Sequence, residues 1–388
     1  SGLVIKKTFL SKFRQFIENK AAIFLLTLLG LVSISFYIYY LQNKLGLSYN
    51  DARSHLDIGR RVVEGLKPGL AQLGSVWLPL PHFLMIPTIW IDFMWHSGLS
   101  GAIQSMASFT ATGYLIYLFL KNLRVKLLAR FFGVLMFTAN INILYLQSTA
   151  MTELLLLGTM TAGVYFLIHW VSDENIFNLV KSAFFIMVST LIRYDGWFLF
   201  FVVSLIIAFF AWQKIGIEKA RGMLIFFCTL GGLGIGAWLV WNILIFNDPF
   251  YFVFGPFSAH TQQLQLEGAG ELPTKGNLWL SLKAYFYAVI YNSYTYSAIL
   301  GFLGGLFFLF DKRIKSFVRF ASLALFAPFA FNVLALFLGH SVLFLPEIIG
   351  QTWFNVRYGM MLLPSIAIFS AYLLDRVKKI SWPIVGTF

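Results

Sequence analysis

Charge is scarce in this chain, and negative charge is scarcest. Only 12% of the 388 residues are charged, and 29 Lys or Arg stand against 16 Asp or Glu. A soluble domain usually carries about 25% charged residues, so this composition excludes an ordinary soluble domain. The basic residues lie in short loops between apolar runs and form no single basic face, as the positive-inside rule requires of membrane proteins. We therefore expect no nucleic-acid partner, despite a formal net charge of +13.

Cysteine is almost absent, since Cys228 is the only one. One Cys within an apolar run excludes a disulfide framework and a Cys-based metal site within the chain. The sequence also lacks a GxGxxG, Walker A or HExxH pattern in a supporting context. These absences exclude the nucleotide-binding and zinc-protease classes that such motifs identify.

Apolar residues are abundant: 59% of the chain is hydrophobic, 18% is aromatic and 43 residues are Phe. A helix needs about 20 apolar residues to cross the hydrocarbon core. The sequence therefore predicts an all-α, polytopic membrane helix bundle of about ten spans, with residues 1–388 forming one transmembrane domain and no soluble domain after the last span. The first run has no small-residue cleavage site, so we expect a retained span. The predicted spans are 21–41, 99–120, 127–145, 151–170, 177–192, 197–212, 222–246, 284–310, 317–338 and 357–374.

One further apolar segment, residues 77–95, contains three prolines and Asp92. A lipid-exposed span would leave freed backbone groups unpaired, so we interpret this segment as an interfacial or half-inserted helix. Five basic residues before the first span place the N-terminus in the cytoplasm. If 77–95 does not cross, the C-terminus is also cytoplasmic, and the large loops 42–98 and 247–283 lie outside. The later cytoplasmic loops then hold Lys121, Arg124, Lys126, Lys214, Lys219, Arg221, Lys312, Arg313, Lys315, Arg376, Lys378 and Lys379.

The longest polar interruption runs from Tyr49 to His82, directly after the first span. Helical spacing predicts an amphipathic juxtamembrane helix over 51–64, with Asn50 as its N-cap and with Asp51 and His55 one turn apart on one face. An ionisable group at the mouth of a bundle is a functional candidate by default. The alternative is that this is an ordinary surface helix whose charged side chains are solvated or paired with one another. This alternative suits the other charged residues of the helix best, including Asp57, Arg60, Arg61 and Glu64.

Two arginines stand next to tyrosines at the predicted outer ends of separate spans, in Arg193-Tyr194-Asp195 and Arg357-Tyr358. Such arginines either anchor the chain at the headgroup level or clamp a phosphate. In the second case Asp195 would hold the Arg193 guanidinium in place. Glu153 is then either a buried partner for one arginine or a carboxylate favoured by a helix N-terminus.

The predicted outer loop 247–283 combines hydrogen-bonding residues, including His260 and Gln263, with several aromatic rings. This mixture suits a sugar, because hydroxyl groups need donors and acceptors while the apolar sugar face packs on rings. It suits a lid at the lipid interface equally well.

Together these segments resemble the GT-C class of membrane glycosyltransferases, especially the branch with protein O-mannosyltransferases and lipid A aminoarabinose transferases. The resemblance is carried by Asp51–Leu56 (DARSHL) and Trp77–His82 (WLPLPH), with support from Met151–Glu153, Arg193–Trp197 and Arg357–Tyr358. It covers most of the chain in layout, although larger relatives also carry a soluble C-terminal domain. Family members usually have Asp-Glu in the first loop.

Here Ala52 follows Asp51, so a supporting role would fall to Asp57 or His55. The family implies a polyprenyl-phosphate-linked sugar donor, used without nucleotide at the outer face of a plasma membrane that is bacterial by resemblance. Displacement of the lipid phosphate would invert the sugar carbon, with Asp51 as general base. A divalent metal remains an open option, and its ligands would be His55 and Asp51.

The resemblance also assigns binding residues, while the acceptor stays open between protein, lipid and polysaccharide. Fixed positive charge is needed where the phosphate gathers negative charge. The phosphate-binding candidates are Arg193, Arg357, Arg60 and Arg61. The candidates for the donor or acceptor pocket are Glu153, Tyr194, Asp195, Tyr358, His82, His260 and Gln263.

Three other functions remain open: a transporter or flippase of a polyprenyl-linked glycan, a polysaccharide polymerase or ligase, and a structural subunit. Transporters tend to show inverted repeats and broken helices at the bilayer midplane. Here the charges lie at span ends. The enzyme hypothesis requires Asp51 to share one cavity with Arg193 and Arg357.

Overall fold

A computed structural model describes residues 2–346 and 348–377, and this part of the chain is largely helical. The predicted amphipathic helix begins at Asn50, so Tyr49 is the N-cap and the prediction for Asn50 is wrong by one residue. The helices are α1 (Gly2–Gln42), α2 (Asn50–Val63), α3 (Leu80–Ile89), α4 (Asp92–His96), α5 (Leu99–Asn122), α6 (Leu127–Thr138), α7 (Ile141–Leu146), α8 (Glu153–Asp173), α9 (Ile176–Thr190), α10 (Asp195–Lys214), α11 (Ile217–Phe246), α12 (Tyr251–Phe254), α13 (Ala259–Gly268), α14 (Leu278–Ser293), α15 (Thr295–Phe310), α16 (Ser316–Ser322), α17 (Ala327–Phe337) and α18 (Leu363–Arg376).

Short irregular elements connect these helices. The strands β1 (Phe344–Leu345) and β2 (Ile349–Phe354) form an antiparallel pair in which Phe344 lies opposite Phe354. Three 3₁₀ helices span Leu70–Leu73, Leu323–Phe326 and Val356–Leu362.

Seven helices of the described chain are long and apolar enough to cross a membrane, or eight if α14 and α15 count as one span. The prediction of a polytopic helix bundle is therefore confirmed. Two predicted spans correspond to shorter apolar helices, α6 and α9. Segment 77–95 holds the ten-residue α3 and most of the five-residue α4, and that this segment does not cross the membrane stays a prediction.

The predicted continuous span 284–310 is instead two helices, α14 and α15, bent by 113°. Tyr294 lies at the break with a positive φ of 64°, which interrupts the helical hydrogen-bond ladder. Asn292 supports the bend, because its side-chain Nδ2 donates to the carbonyl oxygens of Ala288 and Val356, each at 2.7 Å. These bonds tie α14 to the 3₁₀ helix that precedes α18.

The two ends of the bundle differ in their contacts. At one end, the Lys126 backbone N–H donates to Asp375, and Arg376 Nη2 donates to the Leu123 carbonyl oxygen at 3.0 Å. Lys315 Nζ reaches the Ser172 carbonyl oxygen at this same end. These basic loops thus meet at one end, opposite Asp51, as the charge pattern predicts, although the side of the membrane stays a prediction. Lys378 and Lys379, and with them the predicted cytoplasmic C-terminus, lie outside the described residues.

Small residues bring the central helices close together. A Cβ at Gly304 would overlap the Phe369 carbonyl group, and one at Gly301 would press on Ile366. Close packing through small residues is the usual way that helices associate in lipid, where no hydrophobic force holds them together. These contacts hold α15 against α18.

Candidate active site

A cavity of about 400 Å³ lies at the end of the bundle that carries Asp51. It is formed by α2, α13, α17, the segment that precedes α3, and the segments that follow α7, α9, α17 and β2. Eight of the predicted site residues line it: Asp51, His55, Arg193, Tyr194, Asp195, Gln263, Arg357 and Tyr358. The geometric requirement of the enzyme hypothesis is therefore met, since Asp51 and both arginines share one cavity.

Arg357 is held by three side chains from different parts of the chain. Its Nη2 donates to Asp51 Oδ2 at 2.5 Å, and its Nε donates to Glu153 Oε1 at 3.0 Å. Its Nη1 donates to Asn355 Oδ1 at 3.0 Å. A guanidinium fixed on all three nitrogens presents its charge at one defined point.

Arg193 binds the same carboxylate as Arg357. Its Nη1 lies 3.3 Å from Glu153 Oε1, and its Nε lies 3.3 Å from Asp195 Oδ2. Although burial opposes the charge, the carboxylates of Glu153 and Asp195 raise the pKa of Arg193 above its ordinary value. Arg193 therefore stays a cation.

The two guanidinium groups also share an aromatic partner. The Tyr358 ring centroid lies 5.2 Å from Arg193 Cζ and 5.3 Å from Arg357 Cζ. The Tyr49 ring lies 4.9 Å from Arg357 Cζ. Aromatic faces attract cations and limit their movement, so both arginines are prepositioned.

The carboxylates differ in access. Glu153 is fully buried, and its Oε2 has no hydrogen-bond partner within the described chain. The Asp51 side chain is 38% exposed, against 10% for Arg357 and 20% for Arg193. Glu153 therefore positions the arginines, whereas Asp51 is a carboxylate that a reactant can reach.

His55 and His82 form a buried pair in which His55 Nδ1 lies 2.8 Å from His82 Nε2. Burial, together with the neighbouring ring and two arginines, holds the pKa of His55 well below its ordinary value. Burial also lowers the pKa of His82 to about 4. Both rings are thus neutral at pH 7. His82 lies behind His55 and does not line the cavity.

This pair does not fit the metal option. His55 Nδ1 lies against His82 Nε2, and the Asp51 carboxylate is paired with Arg357, so these atoms of the two expected ligands are already engaged. Across residues 2–346 and 348–377, no group of three His, Cys, Asp or Glu side chains is placed to hold an ion. We therefore derive no step through a metal.

Asp57, Arg60 and Arg61 lie outside this cavity, along a separate groove on α2. Arg60 donates to Asp92 Oδ1 at 2.7 Å and to the Ile89 carbonyl oxygen at 2.9 Å. The structure does not bring Arg60 and Arg61 to the other two arginines, so their predicted phosphate role gains no support from this geometry. The sequence suggested proximity because Arg60 and Arg61 share a helix with Asp51, but they lie more than two turns away.

The predicted loop residues His260 and Gln263 both belong to α13. Gln263 lines the cavity, whereas His260 packs against His340, with ring centroids 6.0 Å apart. His340 lines the cavity, and burial lowers its pKa, with His260 and Lys275 adding to the effect. Helix α13 thus covers part of the cavity.

Several supporting residues were missed by the sequence interpretation. Asn332 Nδ2 lies 3.5 Å from Asp195 Oδ1, and Asn355 holds Arg357. Asn332 is the one hydrogen-bonding side chain within the apolar α17, which is a signal that the sequence does offer. Asn355 lies only two residues before Arg357.

No family model matches the chain, and no curated protein matches it. Among solved structures, the fold is similar to that of ArnT from Cupriavidus metallidurans bound to undecaprenyl phosphate, with a TM-score of 0.60. In fold, this chain resembles ArnT. The match covers 93% of this chain at 13% sequence identity, and the chain spans only 62% of the length of that protein. The predicted resemblance to the lipid A aminoarabinose transferase branch is thus confirmed at the level of the fold.

Proposed function

We propose that this protein is a membrane glycosyltransferase that moves a single sugar from a polyprenyl-phosphate-linked donor to an acceptor at the outer face of the membrane. One observation carries the proposal: Asp51, at the lip of the cavity, is paired with Arg357, which shares Glu153 with Arg193. An accessible carboxylate beside two fixed cations is the set of groups that phosphate displacement needs. The similarity to the ArnT fold supports the same substrate class.

In the proposed reaction, an acceptor hydroxyl oxygen attacks the anomeric carbon of the donor sugar. The bond from that carbon to the phosphate oxygen breaks, and the oxygen keeps the electron pair. Asp51 takes the hydroxyl proton. A single displacement of this kind inverts the anomeric carbon.

The arginines are suited to the change in phosphate charge. The donor is a phosphodiester with one negative charge, whereas the product phosphate monoester carries up to two. Arg193 and Arg357 therefore bind the departing phosphate more strongly than the donor phosphate. Interactions that strengthen along the reaction lower its barrier.

The Asp51–Arg357 pair suggests how the base is released. With Arg193 and Arg357 opposed by Asp51, Glu153 and Asp195, the site carries one more negative charge than positive. A donor phosphate that binds Arg357 would compete with Asp51 for Nη2. The Asp51 carboxylate, no longer bound to Arg357, would then face the acceptor hydroxyl group.

The test uses purified full-length protein and labelled undecaprenyl-phosphate-linked sugar, with release of undecaprenyl phosphate as readout. Arg193→Gln and Arg357→Gln are compared with Arg221→Gln, which removes an exposed arginine near the start of α11. We expect donor binding to fall in the two site variants alone. If all three variants bind the donor equally well, the phosphate-binding role of Arg193 and Arg357 is contradicted. If the wild-type protein binds the donor but transfers its sugar to no acceptor, a flippase is favoured.

A further inference from the structure

A second void, of about 770 Å³, lies along the outer face of α2. It is lined by Ser54, Asp57, Arg61, Trp77 and Trp95, together with three neighbouring side chains of α2. Trp77 lines this groove and also the cavity that contains Asp51 and the two arginines. Its ring lies 4.4 Å from the His55 ring, between centroids. The Trp77 side chain therefore separates the groove on α2 from the cavity that contains Asp51.

The Trp95 ring of this groove is held in a fixed orientation. Trp95 Nε1 donates to Asp57 Oδ1 at 3.2 Å, and the Arg60 guanidinium stacks 4.6 Å from the ring centroid. Arg60 is itself anchored by Asp92 and by the Ile89 carbonyl oxygen. A binding surface that is already ordered loses little entropy when a ligand arrives.

The polar groups of the groove include both donors and acceptors of hydrogen bonds. Ser54 supplies a hydroxyl group and Asp57 a carboxylate, and Arg61 has no ion-pair partner among the residues that the structure describes. The two acidic and two basic side chains of the lining balance in charge, so the groove favours an uncharged ligand.

A sugar has the chemistry that this lining recognises. Its hydroxyl groups both donate and accept hydrogen bonds, and the C–H face of its ring packs on an indole. A free lipid tail would offer no hydrogen-bond partner to the Ser54 hydroxyl group or the Arg61 guanidinium. An anionic headgroup would meet no net positive charge.

We propose that this groove binds an uncharged sugar unit of the acceptor and presents it to Asp51 past the edge of Trp77. The assignment to the acceptor rests on the proposed function, because the donor phosphate occupies the other side of Trp77, at Arg193 and Arg357. Binding of a sugar in the groove does not depend on the donor. The acceptor class would then be a glycan or a glycosylated lipid.

Saturation-transfer difference NMR tests this directly. The full-length protein, in a detergent without a sugar headgroup, is mixed with the methyl glycosides of glucose, mannose and galactose. We expect signals from the ring protons of at least one glycoside, lost in Trp95→Ala and reduced at least several-fold in Arg61→Gln. Trp279→Ala is the matched control, since Trp279 is 76% exposed and lines neither space.

Arg61→Gln is an exposed substitution, so the test stands even if Trp95→Ala fails to fold. Signals absent for all three glycosides, or unchanged in Arg61→Gln, overturn the proposal. Undecaprenyl phosphate binding is measured on the same samples. If Arg357→Gln loses lipid phosphate binding but keeps the glycoside signals, the two sites are separate. If the wild-type protein binds glycoside but no lipid phosphate, the result contradicts only the proposed function.

Discussion

Asp51 and Arg357 lie 306 positions apart in the sequence, yet Asp51 Oδ2 accepts a hydrogen bond from Arg357 Nη2 at 2.5 Å. Asp51 belongs to the first turn of α2, and Arg357 belongs to the 3₁₀ helix that leads into α18. The contact therefore joins the first large loop of the chain to its last membrane helix. It places the proposed base and the proposed phosphate ligand in one ion pair.

Replacement of the proposed base should separate catalysis from binding. We expect Asp51→Asn to lower the rate of sugar transfer by about 10² to 10⁴-fold, because the acceptor hydroxyl loses its proton acceptor. Affinity for undecaprenyl phosphate should stay equal or rise, since the carboxylate that competes for Arg357 is gone. Transfer and binding are measured on the same preparation, with Glu218→Gln at the far end of the bundle as control. Unchanged transfer would remove Asp51 from the mechanism.

Replacement of the buried carboxylate should affect the fold as well. Glu153 is fully buried and bonded to Arg193 and Arg357, so Glu153→Gln leaves two cations without their shared anion. Breaking a buried ion pair in this way costs roughly 3–5 kcal/mol. We expect a lower midpoint of thermal unfolding in detergent than for wild type or Glu218→Gln. An unchanged midpoint would show that Glu153 does not hold the arginines in place.

The buried histidine pair predicts a loss of stability in acid. Burial lowers the pKa of His82 to about 4, whereas an unfolded His titrates near 6.5. Below about pH 6.5 the unfolded chain binds a proton that the folded protein does not, so stability falls as the pH drops toward 4. The full effect is roughly 3 kcal/mol. Thermal unfolding measured from pH 7.5 to 4 should show this loss of stability in the wild type and in the control His96→Gln. The stability of His82→Gln should depend less on pH over the same range. Parallel profiles for all three proteins would contradict the assignment.

The sequence predicted which charged residues line one cavity better than it predicted where the helices begin and end, and the reason is physical. Charged residues are so costly within a membrane that each one at a span end is informative. This made Asp51, Arg193 and Arg357 recognisable from their positions along the chain alone. Arg60 and Arg61 satisfy the same rule, but Arg60 pairs with Asp92 on a different segment, and periodicity does not reveal such a contact.

The bend between α14 and α15 was not predictable from hydropathy. Residues 284–310 are apolar throughout, and hydropathy does not report the positive φ of Tyr294. The available signal was the pair Asn292-Ser293 in the middle of the run. Polar side chains there mark freed backbone groups that need partners. Predicted span 127–145 is also divided into two helices, α6 and α7, and Asn140 caps α7.

This bend leads to a prediction about the site itself. Asn292 Nδ2 donates to the carbonyl oxygen of Val356, the residue directly before Arg357, and Asn292 is almost fully buried. Asn292→Leu leaves that carbonyl group without its partner, at a cost of about 1–3 kcal/mol. We expect a lower unfolding midpoint and, because Arg357 loses its backbone support, undecaprenyl phosphate affinity that falls several-fold. Asn178→Leu removes an exposed asparagine bond to Asp173 at the other end of the bundle and is the control. A midpoint that falls while lipid phosphate affinity is kept would show that the bend stabilises the fold without positioning Arg357.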